Sequence, residues 1–514
     1  MNAICDYIKN KGVLYASLIL LCGAILFIFL SALCKHGWVD EHVTILSSLV
    51  PWCDFCQNLA VTDVYPPLHY AIEGVIGRLC RARAGGVEMA YALSACQLFS
   101  VACFIVLLIL GAAILKKRRG WSAAIAYMAV LCSLPLCERY CIEARAYMMC
   151  TLILFASFIC ACLAFRHNNR RWWIVYSILL VLLAYTNYYA LLNGVVLTGM
   201  LFVYAFLFAR RHCSSIVYAS LCALICFVPW MPYLLQQIGW VHESWWNQNP
   251  LCAAFGYIVD VCGVRLSGGS PWIFFIVASC VQVYALSRAL AKRESLSAFI
   301  IGCGMLAVPC SALLQIIISI AIEQSIVVNR YCLFPVGVFA FSLAWGLPYL
   351  SRLPMKGFAF LCACISVFAC RQFYLEEYNK FRMNERLVAW FLLNSSEKHE
   401  TKLYVSEQKE IATVELLFDA NQIEDINFCL CHDEKLDPKL CIARYSQYRN
   451  FLSERGDMNL SDLREGDYVF VLANHMEAFV RDMEWYRIPH KIVSVQGLWY
   501  KVAVSPRGEE HHQP

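Results

Sequence analysis

Apolar runs of about twenty residues recur from Val13 to Tyr374, and they constrain the fold of this chain more than any other feature. A run of this length can cross the hydrocarbon core of a bilayer as an α-helix. Only 15% of the 514 residues are charged, whereas a soluble domain carries about 25%. We therefore predict a polytopic α-helical membrane protein with about eleven spans. The first run, Val13 to Leu33, is longer than the core of a signal peptide and is interpreted as a retained span.

Lysine and arginine are concentrated in every second loop between the apolar runs. The clusters are Lys9 and Lys11, Lys116 to Arg119, Arg166 to Arg171, Arg210 and Arg211, Arg288 to Arg293, and Arg352 to Lys356. Because basic loops stay in the cytoplasm, this pattern predicts a cytoplasmic N-terminus and an exterior C-terminus. Arg78, Arg81 and Arg83 depart from the pattern, since they fall in a loop assigned to the exterior. We expect membrane lipids and no nucleic acid among the partners.

Composition divides the chain into two predicted domains. Residues 1–374 hold the apolar runs and form a transmembrane domain, in which a long exterior loop, residues 35–90, follows the first span. Two segments of this loop, Val43–Val50 and Leu68–Leu79, are too short to span a bilayer and are predicted to be helices at its surface.

Residues 375–514 have ordinary hydrophobicity and lack long apolar runs. Short β-type runs alternate there with helical stretches, which predicts a small exterior α/β domain. The β-type runs are Lys402–Val405, Asn427–Leu430, Asp467–Leu472, Lys491–Val495 and Trp499–Val504, and the helical stretches include Lys439–Leu452 and Met476–Tyr486.

Three carboxylates mark the two ends of the segment that follows the first span. Asp40 and Glu41 are adjacent, and Asp63 stands just ahead of Pro66 and Pro67, whose locked φ angles fix how the chain enters the next helix. Carboxylates at a membrane edge can bind a divalent cation or act as a general base. Alternatively, they are solvated loop acids, or acids favoured near a helix N-terminus. The rigid backbone beside Asp63 favours a functional role.

Arginine and tyrosine occur together at the predicted outer edges of two spans. One set is Glu143-Ala-Arg145-Ala-Tyr147, and the other is Arg330-Tyr331. An arginine at this depth can pair with Glu143 or hold the phosphate of a lipid-linked substrate. It can also simply anchor the helix by extending its charge towards water. Two such arginines on one face indicate a shared site for an anionic headgroup.

In this order the motifs resemble those of the GT-C superfamily of integral membrane glycosyltransferases. The similarity is to the protein O-mannosyltransferase-like branch, which includes the lipid A aminoarabinose transferase, and it covers about residues 10 to 350. The matching segments are Asp40-Glu41, Asp63 with Pro66-Pro67-Leu68-His69-Tyr70, Glu143 to Tyr147, Thr186-Asn187-Tyr188-Tyr189, Val228-Pro229-Trp230-Met231-Pro232, and Arg330-Tyr331 with Pro335. The chain departs from the family pattern at Tyr65 and Asn187, where the family has histidines, and at His69, where the family has a tyrosine.

The resemblance implies that a sugar is transferred, with inversion, from a polyprenyl-phosphate donor to a lipid, glycan or protein acceptor at the exterior face. The residues expected to hold the donor phosphate are Arg145, Arg330, Tyr147 and Tyr331. Asp40 is the predicted base, with Glu41 and Asp63 orienting it or binding a divalent cation together with it. Glu143, His69 and Tyr70 are expected to support the site, although the resemblance assigns no role to His69.

Two other classes of function stay open at this point. A transporter or flippase for a lipid-linked sugar would place charged residues in the middle of its spans, whereas the acids and arginines here gather at one predicted face. An inactive homologue acting as a scaffold through its C-terminal domain is the second. The family branch favours a bacterial inner membrane as the location.

Overall fold

The structure is a computed structural model that describes most of the chain up to residue 395 and parts of the region beyond it. The described residues are 2–35, 37, 39–84, 89–240, 250–264, 271–323, 325–350, 355–395, 401–405, 426–430, 457–459, 463–464, 467–472, 476–485, 487–496 and 499–505. The chain divides into two compact units. Unit 1 comprises residues 1–34, 63–72 and 96–377, and unit 2 comprises residues 35–62, 73–95 and 378–514. The predicted exterior loop, residues 35–90, contributes residues to both.

Helices dominate the described part of the first 395 residues. They are α1 Asn2–Cys34, α2 Val39–Ser48, α3 Phe55–Thr62, α4 Leu68–Ala84, α5 Met89–Arg119, α6 Trp121–Ser133, α7 Pro135–Tyr140, α8 Tyr147–His167, α9 Arg170–Thr186, α10 Tyr188–Phe208, α11 Cys213–Phe227, α12 Met231–Trp240, α13 Pro250–Cys262, α14 Trp272–Ala291, α15 Ser295–Ala321, α16 Asn329–Cys332, α17 Val336–Gly346 and α18 Met355–Ser395. Short 3₁₀ turns occupy Arg210–His212, Val228–Trp230 and Leu347–Tyr349.

Eight helical stretches within the described residues are long and apolar enough to cross a bilayer. They are Gly12–Cys34, Tyr91–Arg119, Tyr147–His167, Tyr188–Phe208, Arg210–Ile238, Trp272–Ala291, Ser295–Ala321 and Met355–Lys380. Together with α6, α9 and α17, which are shorter, they coincide with the predicted apolar runs. The prediction of a polytopic α-helical membrane protein is therefore confirmed.

Two glycines let helices of unit 1 approach closely. A Cβ on Gly111 of α5 would lie 2.3 Å from the Tyr127 ring of α6, and one on Gly304 of α15 would lie 1.9 Å from the Ser342 hydroxyl of α17. The Tyr127 hydroxyl also donates to the carbonyl of Leu107 at 2.9 Å. Small residues and interhelical hydrogen bonds are the usual means by which membrane helices associate.

Arg119 joins three elements of unit 1 at the basic end of α5. Its Nη2 donates to the Ser297 hydroxyl at 3.0 Å and to the Tyr349 hydroxyl at 3.3 Å, and lies 3.8 Å from Oε2 of Glu294. The guanidinium also lies 4.4 Å above the Trp345 ring. Tyr349 donates to Glu294, and this hydrogen bond lowers the pKa of that carboxyl. The cluster ties α5 to the start of α15 and to the turn after α17.

Arg78, which departs from the charge pattern of the sequence, has a structural role in unit 2. Its Nη1 and Nη2 donate to the carbonyls of Ser48 and Val50 at 3.1 and 2.6 Å, so it satisfies carbonyl groups where α2 ends. Gly74 permits this approach, because a Cβ there would lie 2.3 Å from the Ser48 carbonyl oxygen. A local contact therefore explains this arginine without any change in the predicted topology.

Six strands described beyond residue 400 form one sheet. They are β1 Thr401–Val405, β2 Ile426–Leu430, β3 Asp457–Asn459, β4 Tyr468–Leu472, β5 His490–Gln496 and β6 Trp499–Val504. Their order is β3-β2-β1-β4-β6-β5, with parallel pairing from β3 to β4 and antiparallel pairing of β6 with β4 and β5. The buried residues of β4 and β6 pack with Phe479 and Met483 of α19, Met476–Trp485. The predicted helix Lys439–Leu452 lies outside the described residues.

Candidate active site

Asp63 lies at the centre of a polar cluster in unit 1. The hydroxyl of Tyr70 donates to its Oδ2, and the backbone N–H of Val64 donates to its Oδ1 at 2.7 Å. Nη1 of Arg145 lies 3.6 Å from Oδ2, with the Arg145 side chain 6% exposed and the Asp63 side chain 13% exposed. A carboxylate with a charged neighbour and two donors is held in one orientation.

A chain of hydrogen bonds fixes the backbone around Asp63. Nε2 of Gln237 donates to the carbonyl of Asp63 at 2.9 Å and to the carbonyl of Tyr65 at 3.3 Å. Oε1 of Gln237 accepts from the Tyr188 hydroxyl at 2.5 Å, and Trp230 donates to that same hydroxyl at 2.7 Å. The aromatic segments at 186–189 and 228–232 therefore act on the site through Gln237, a residue that the sequence motifs did not single out.

Two arginines and a group of buried tyrosines surround this cluster. The hydroxyls of Tyr65 and Tyr331 share a hydrogen bond. The guanidinium of Arg145 lies 5.0 Å from the Tyr65 ring centre, and that of Arg330 lies 5.3 Å from the Tyr331 ring centre. Tyr331 stacks on Tyr189, with ring centres 3.7 Å apart and planes 7° apart. The predicted residues Arg145, Arg330 and Tyr331 are thus brought to one place, although Tyr65 was recognised only as a departure from the family pattern.

Burial and the surrounding phenols and arginines all shift the pKa of the Tyr65 hydroxyl. Burial raises the pKa of this phenol well above its usual value, and the neighbouring phenols of Tyr331 and Tyr147 raise it further. The charges of Arg145 and Arg330 oppose this shift. Both guanidinium groups therefore act on the same hydroxyl, and both stay protonated because arginine is charged throughout the physiological range.

The Glu143 side chain lies beside Arg139, four residues before it in the chain. Its Oε1 lies 3.5 Å from Nε of Arg139, and its backbone carbonyl accepts from the Ser100 hydroxyl at 2.5 Å and from the Arg145 N–H at 2.8 Å. Asp63 faces Arg145, and the Glu143 backbone supports the turn that positions Arg145.

A small cavity adjoins the cluster in unit 1. Its lining residues are Tyr65, His69, Tyr70, Arg145, Ala146, Tyr147 and Asn187. The space for water-sized molecules is about 10 Å³, enough for roughly one water. His69 and Tyr147 are each 1% exposed, so the predicted supporting histidine is a buried wall of this cavity.

Asn187 serves as the N-cap of α10. Its Oδ1 accepts from the N–H groups of Tyr189 and Ala190 at 2.9 and 3.2 Å. Asparagine is among the preferred residues at this position, because its side chain satisfies donors that the helix leaves open. The cap explains how the segment turns from α9 into α10 and why Tyr188 and Tyr189 project from the first turn.

Glu138, on α7, is a buried acid that the sequence motifs did not use. It is 5% exposed, and burial raises the pKa of its carboxyl to about 8, with a further rise from Glu376 and an opposing hydrogen bond with Cys370. Its Oε1 has no hydrogen-bond partner among the described residues. The group is therefore mostly neutral at pH 7.

Asp40 and Glu41 belong to unit 2 and lie in the first turn of α2. Glu41 is fully buried, and its Oε2 lies 2.7 Å from Nζ of Lys35. The carbonyl of Asp40 accepts from the Thr44 hydroxyl at 2.7 Å. Acids in a first helical turn interact favourably with the helix dipole, which accounts for part of their placement.

The predicted cation site does not fit these surroundings. Glu41 faces Lys35 and Asp63 faces Arg145, and a positive neighbour opposes binding of a divalent cation. Among the described residues, no group of three His, Cys, Asp or Glu side chains could hold a metal ion.

Comparison with solved structures identifies the fold. ArnT from Cupriavidus metallidurans is similar to this chain over 95% of this chain and 97% of its own, with 12% sequence identity. The TM-score is 0.51 for the form bound to undecaprenyl phosphate and 0.57 for the apo form. No protein-family model matches the sequence, and no curated protein matches it. ArnT is a lipid A aminoarabinose transferase, and this chain is a multi-pass membrane protein with the same GT-C fold.

Proposed function

We propose that this chain is a glycosyltransferase that moves a sugar from a polyprenyl-phosphate donor to a lipid, glycan or protein acceptor. The observation that carries the proposal is the convergence of Asp63, Arg145 and Arg330 in unit 1, around buried tyrosines and beside a cavity. These residues come from three distant parts of the chain. The fold shared with ArnT, which has been solved with undecaprenyl phosphate, supports the choice of donor.

The two arginines suit the leaving group of such a donor. When the bond between the sugar and the phosphate breaks, negative charge develops on the phosphate, and fixed positive charges stabilise it. Arg145 and Arg330 lie over tyrosine rings, which orient the guanidinium groups without neutralising them. Guanidinium groups can each donate two parallel hydrogen bonds to a phosphate. In this proposal Tyr147 and Tyr331 shape the same wall.

Asp63 is the carboxylate that we assign to the acceptor. An acceptor hydroxyl must lose a proton as it attacks the anomeric carbon, and a positioned carboxylate can take it. The Tyr70 hydroxyl and the Val64 N–H hold Asp63, while Gln237 holds the backbone at the same residue. A single displacement from the side opposite the phosphate inverts the anomeric centre. Asp40, the base expected from the sequence, lies in unit 2, and its role stays a prediction.

We also propose that the site faces the outside of a bacterial inner membrane. Tyr147 begins α8 and Arg166 lies in its last turn, so the site and a basic cluster lie at opposite ends of one span. Such a helix of 21 residues is about 30 Å long, close to the thickness of the hydrocarbon core. If basic ends are cytoplasmic, the site is exterior. Reporter fusions at the loops after α8 and α9 test this: a cytoplasmic signal from the loop after α9 would place the topology elsewhere.

The function is tested with purified protein in lipid nanodiscs, undecaprenyl phosphate carrying different single sugars, and an envelope extract as the acceptor. Chromatography with mass detection follows the release of undecaprenyl phosphate and the gain of one sugar by an acceptor. Arg330→Gln should reduce release at least about 100-fold, because it removes a charge from the leaving group's site. The matched control is Arg288→Gln at the exposed basic end of α14, which should release at the wild-type rate.

Three outcomes separate the candidate functions. Release that depends on the acceptor and on Arg330 supports the transferase. Movement of labelled donor across the membrane without release would support the flippase instead. Equal rates for the Arg330 and Arg288 variants would remove the proposed phosphate site.

A further inference from the structure

We infer that unit 1 binds the headgroup of an anionic phospholipid where the end of α8, the start of α9 and the turn between α10 and α11 meet. Five arginines, which we call the arginine cluster, form this surface: Arg166, Arg170, Arg171, Arg210 and Arg211. The cluster lies at the end of α8 remote from Tyr147, about 30 Å along the helix from the candidate active site. The inference does not depend on the proposed function.

Three packed rings bring the arginines to one place. The ring centre of Phe165 lies 5.3 Å from that of Trp173 and 5.2 Å from that of His212, and the last two lie 5.8 Å apart. Nε1 of Trp173 also donates to Nδ1 of His212 at 3.1 Å. Each ring stands one or two residues along the chain from an arginine of the cluster. The contacts between the rings therefore hold the three basic segments side by side.

The charge of the arginine cluster is not balanced by acids. Helices α8 to α11 and the turns between them contain no Asp or Glu. All five arginines are exposed, and none forms an ion pair with another described residue. Nε of Arg210 donates to the carbonyl of Phe206 at 3.2 Å, which leaves its two Nη groups for a ligand. The basic end of α5 differs, because Arg119 there faces the carboxylate of Glu294.

His212 adds a buried donor beside these charges. Its Nδ1 accepts from Trp173, so the neutral ring carries its proton on Nε2. His212 is 4% exposed, and Nε2 has no hydrogen-bond partner among the described residues. A buried donor needs an acceptor, and a phosphate oxygen accepts strongly both from such a group and from guanidinium groups. The cluster and His212 therefore suit the same ligand, a phosphate.

Apolar side chains next to the cluster indicate that this phosphate belongs to a lipid. Leu207 and Phe208 at the end of α10 are each 62% exposed, and Ile174 near the start of α9 is 60% exposed. On helices that cross a bilayer, exposed side chains of this kind contact acyl chains. Basic pockets between membrane helices attract anionic headgroups. A phospholipid would place its phosphate at the arginines and its chains against these residues.

Native mass spectrometry of the full chain tests the inference. Protein stripped of lipid in detergent is titrated with phosphatidylglycerol and with phosphatidylcholine of the same chain length. Phosphatidylglycerol should bind at least about 10-fold more tightly, because its phosphate is not neutralised by a choline group. Excess inorganic phosphate should leave the lipid bound. Equal affinities for the two lipids, or displacement by inorganic phosphate, would overturn the inference.

A triple variant locates the site. It removes three charges of the cluster through Arg166→Gln, Arg171→Gln and Arg211→Gln. Its affinity for phosphatidylglycerol should fall about 100-fold, because each basic residue near an anionic lipid contributes about fivefold. The matched control removes the same charge from the ends of α5 and α14 through Lys117→Gln, Arg118→Gln and Arg288→Gln. The control should lose less than about fivefold. Equal losses would show a general attraction to basic residues and would refute a site at the cluster.

Two single variants test the buried donor. His212→Phe and Trp173→Phe both remove the hydrogen bond between the two rings, whereas His212→Phe alone removes Nε2. His212→Phe should weaken phosphatidylglycerol binding about 10-fold, because a hydrogen bond to a charged group is lost. Trp173→Phe should bind as the wild-type protein does. Equal weakening in both variants would exclude Nε2 of His212 from the lipid site.

Discussion

Replacing Glu138 by glutamine should stabilise the protein in alkaline solution and have little effect in acid. The carboxyl is buried on α7, and its pKa rises from the ordinary value of 4.5 to about 8. The unfolded chain releases this proton above about pH 4.5, whereas the folded protein keeps it until about pH 8. Stability contributed by the protonated group is therefore complete in acid and is lost as the pH rises between these values.

The size of the effect follows from the same two pKa values. Linkage gives a loss of about 1 kcal/mol at pH 5, about 3 kcal/mol at pH 7 and about 5 kcal/mol at pH 9. Glutamine has the same shape and no charge to bury, so Glu138→Gln removes this loss. For a chain of this length we expect a rise in Tm of about 5 °C at pH 9 and of about 1 °C or less at pH 5, extrapolating from smaller domains.

Thermal unfolding in nanodiscs at the two pH values measures the difference. Glu294→Gln is the matched control, because the pKa of Glu294 is lowered by the Tyr349 hydrogen bond and its contribution to stability is lost in acid. That variant should not gain stability at pH 9. If Glu138→Gln melts at the wild-type temperature at pH 9, the carboxyl is hydrated or paired and the account of its burial is wrong.

Three further predictions concern the candidate site. Tyr70→Phe removes the hydroxyl that donates to Asp63, and should lower kcat for sugar transfer about 10- to 100-fold with an unchanged Tm; an unchanged kcat would show that Asp63 needs no such support. Gln237→Leu removes the side chain that joins the Asp63 backbone to Tyr188, and should lower stability by about 2 kcal/mol as well as transfer, as measured by Tm and by product formation. Wild-type stability and transfer would contradict its anchoring role. Dialysis against EDTA should leave transfer unchanged, because the carboxylates of Asp63 and Glu41 already face the side chains of Arg145 and Lys35. A loss of transfer that one divalent metal restores would support the metal site predicted from the sequence.

The membrane helices could be predicted because burial in lipid leaves a strong pattern in composition. Each apolar run coincides with a helix, including α6, which is short for a span. The C-terminal strands were also found from their β-branched and aromatic residues, except for β3. Its three residues, Asp457 to Asn459, contain no such side chain, and its pairing with β2 is a long-range backbone contact that local sequence does not encode.

The site was predicted in part because charged residues at the ends of spans are rare and therefore informative. Asp63, Arg145 and Arg330 were selected on this basis. The sequence could not show that Arg145 faces Asp63, because the two residues are about eighty positions apart and only the three-dimensional fold brings them together. Gln237 gave no signal, since a glutamine in an amphipathic helix is ordinary and its role comes from hydrogen bonds to residues more than forty positions away.

The central claim is that Asp63 acts on the acceptor while the arginines hold the donor. Asp63→Asn keeps the shape of the side chain, and transfer from an undecaprenyl-phosphate sugar can be compared with binding of undecaprenyl phosphate in the same preparation. The account predicts that transfer falls at least about 100-fold while the affinity for undecaprenyl phosphate changes less than about threefold. Turnover by Asp63→Asn at the wild-type rate, with turnover lost in Asp40→Asn, would contradict it and move the base to unit 2.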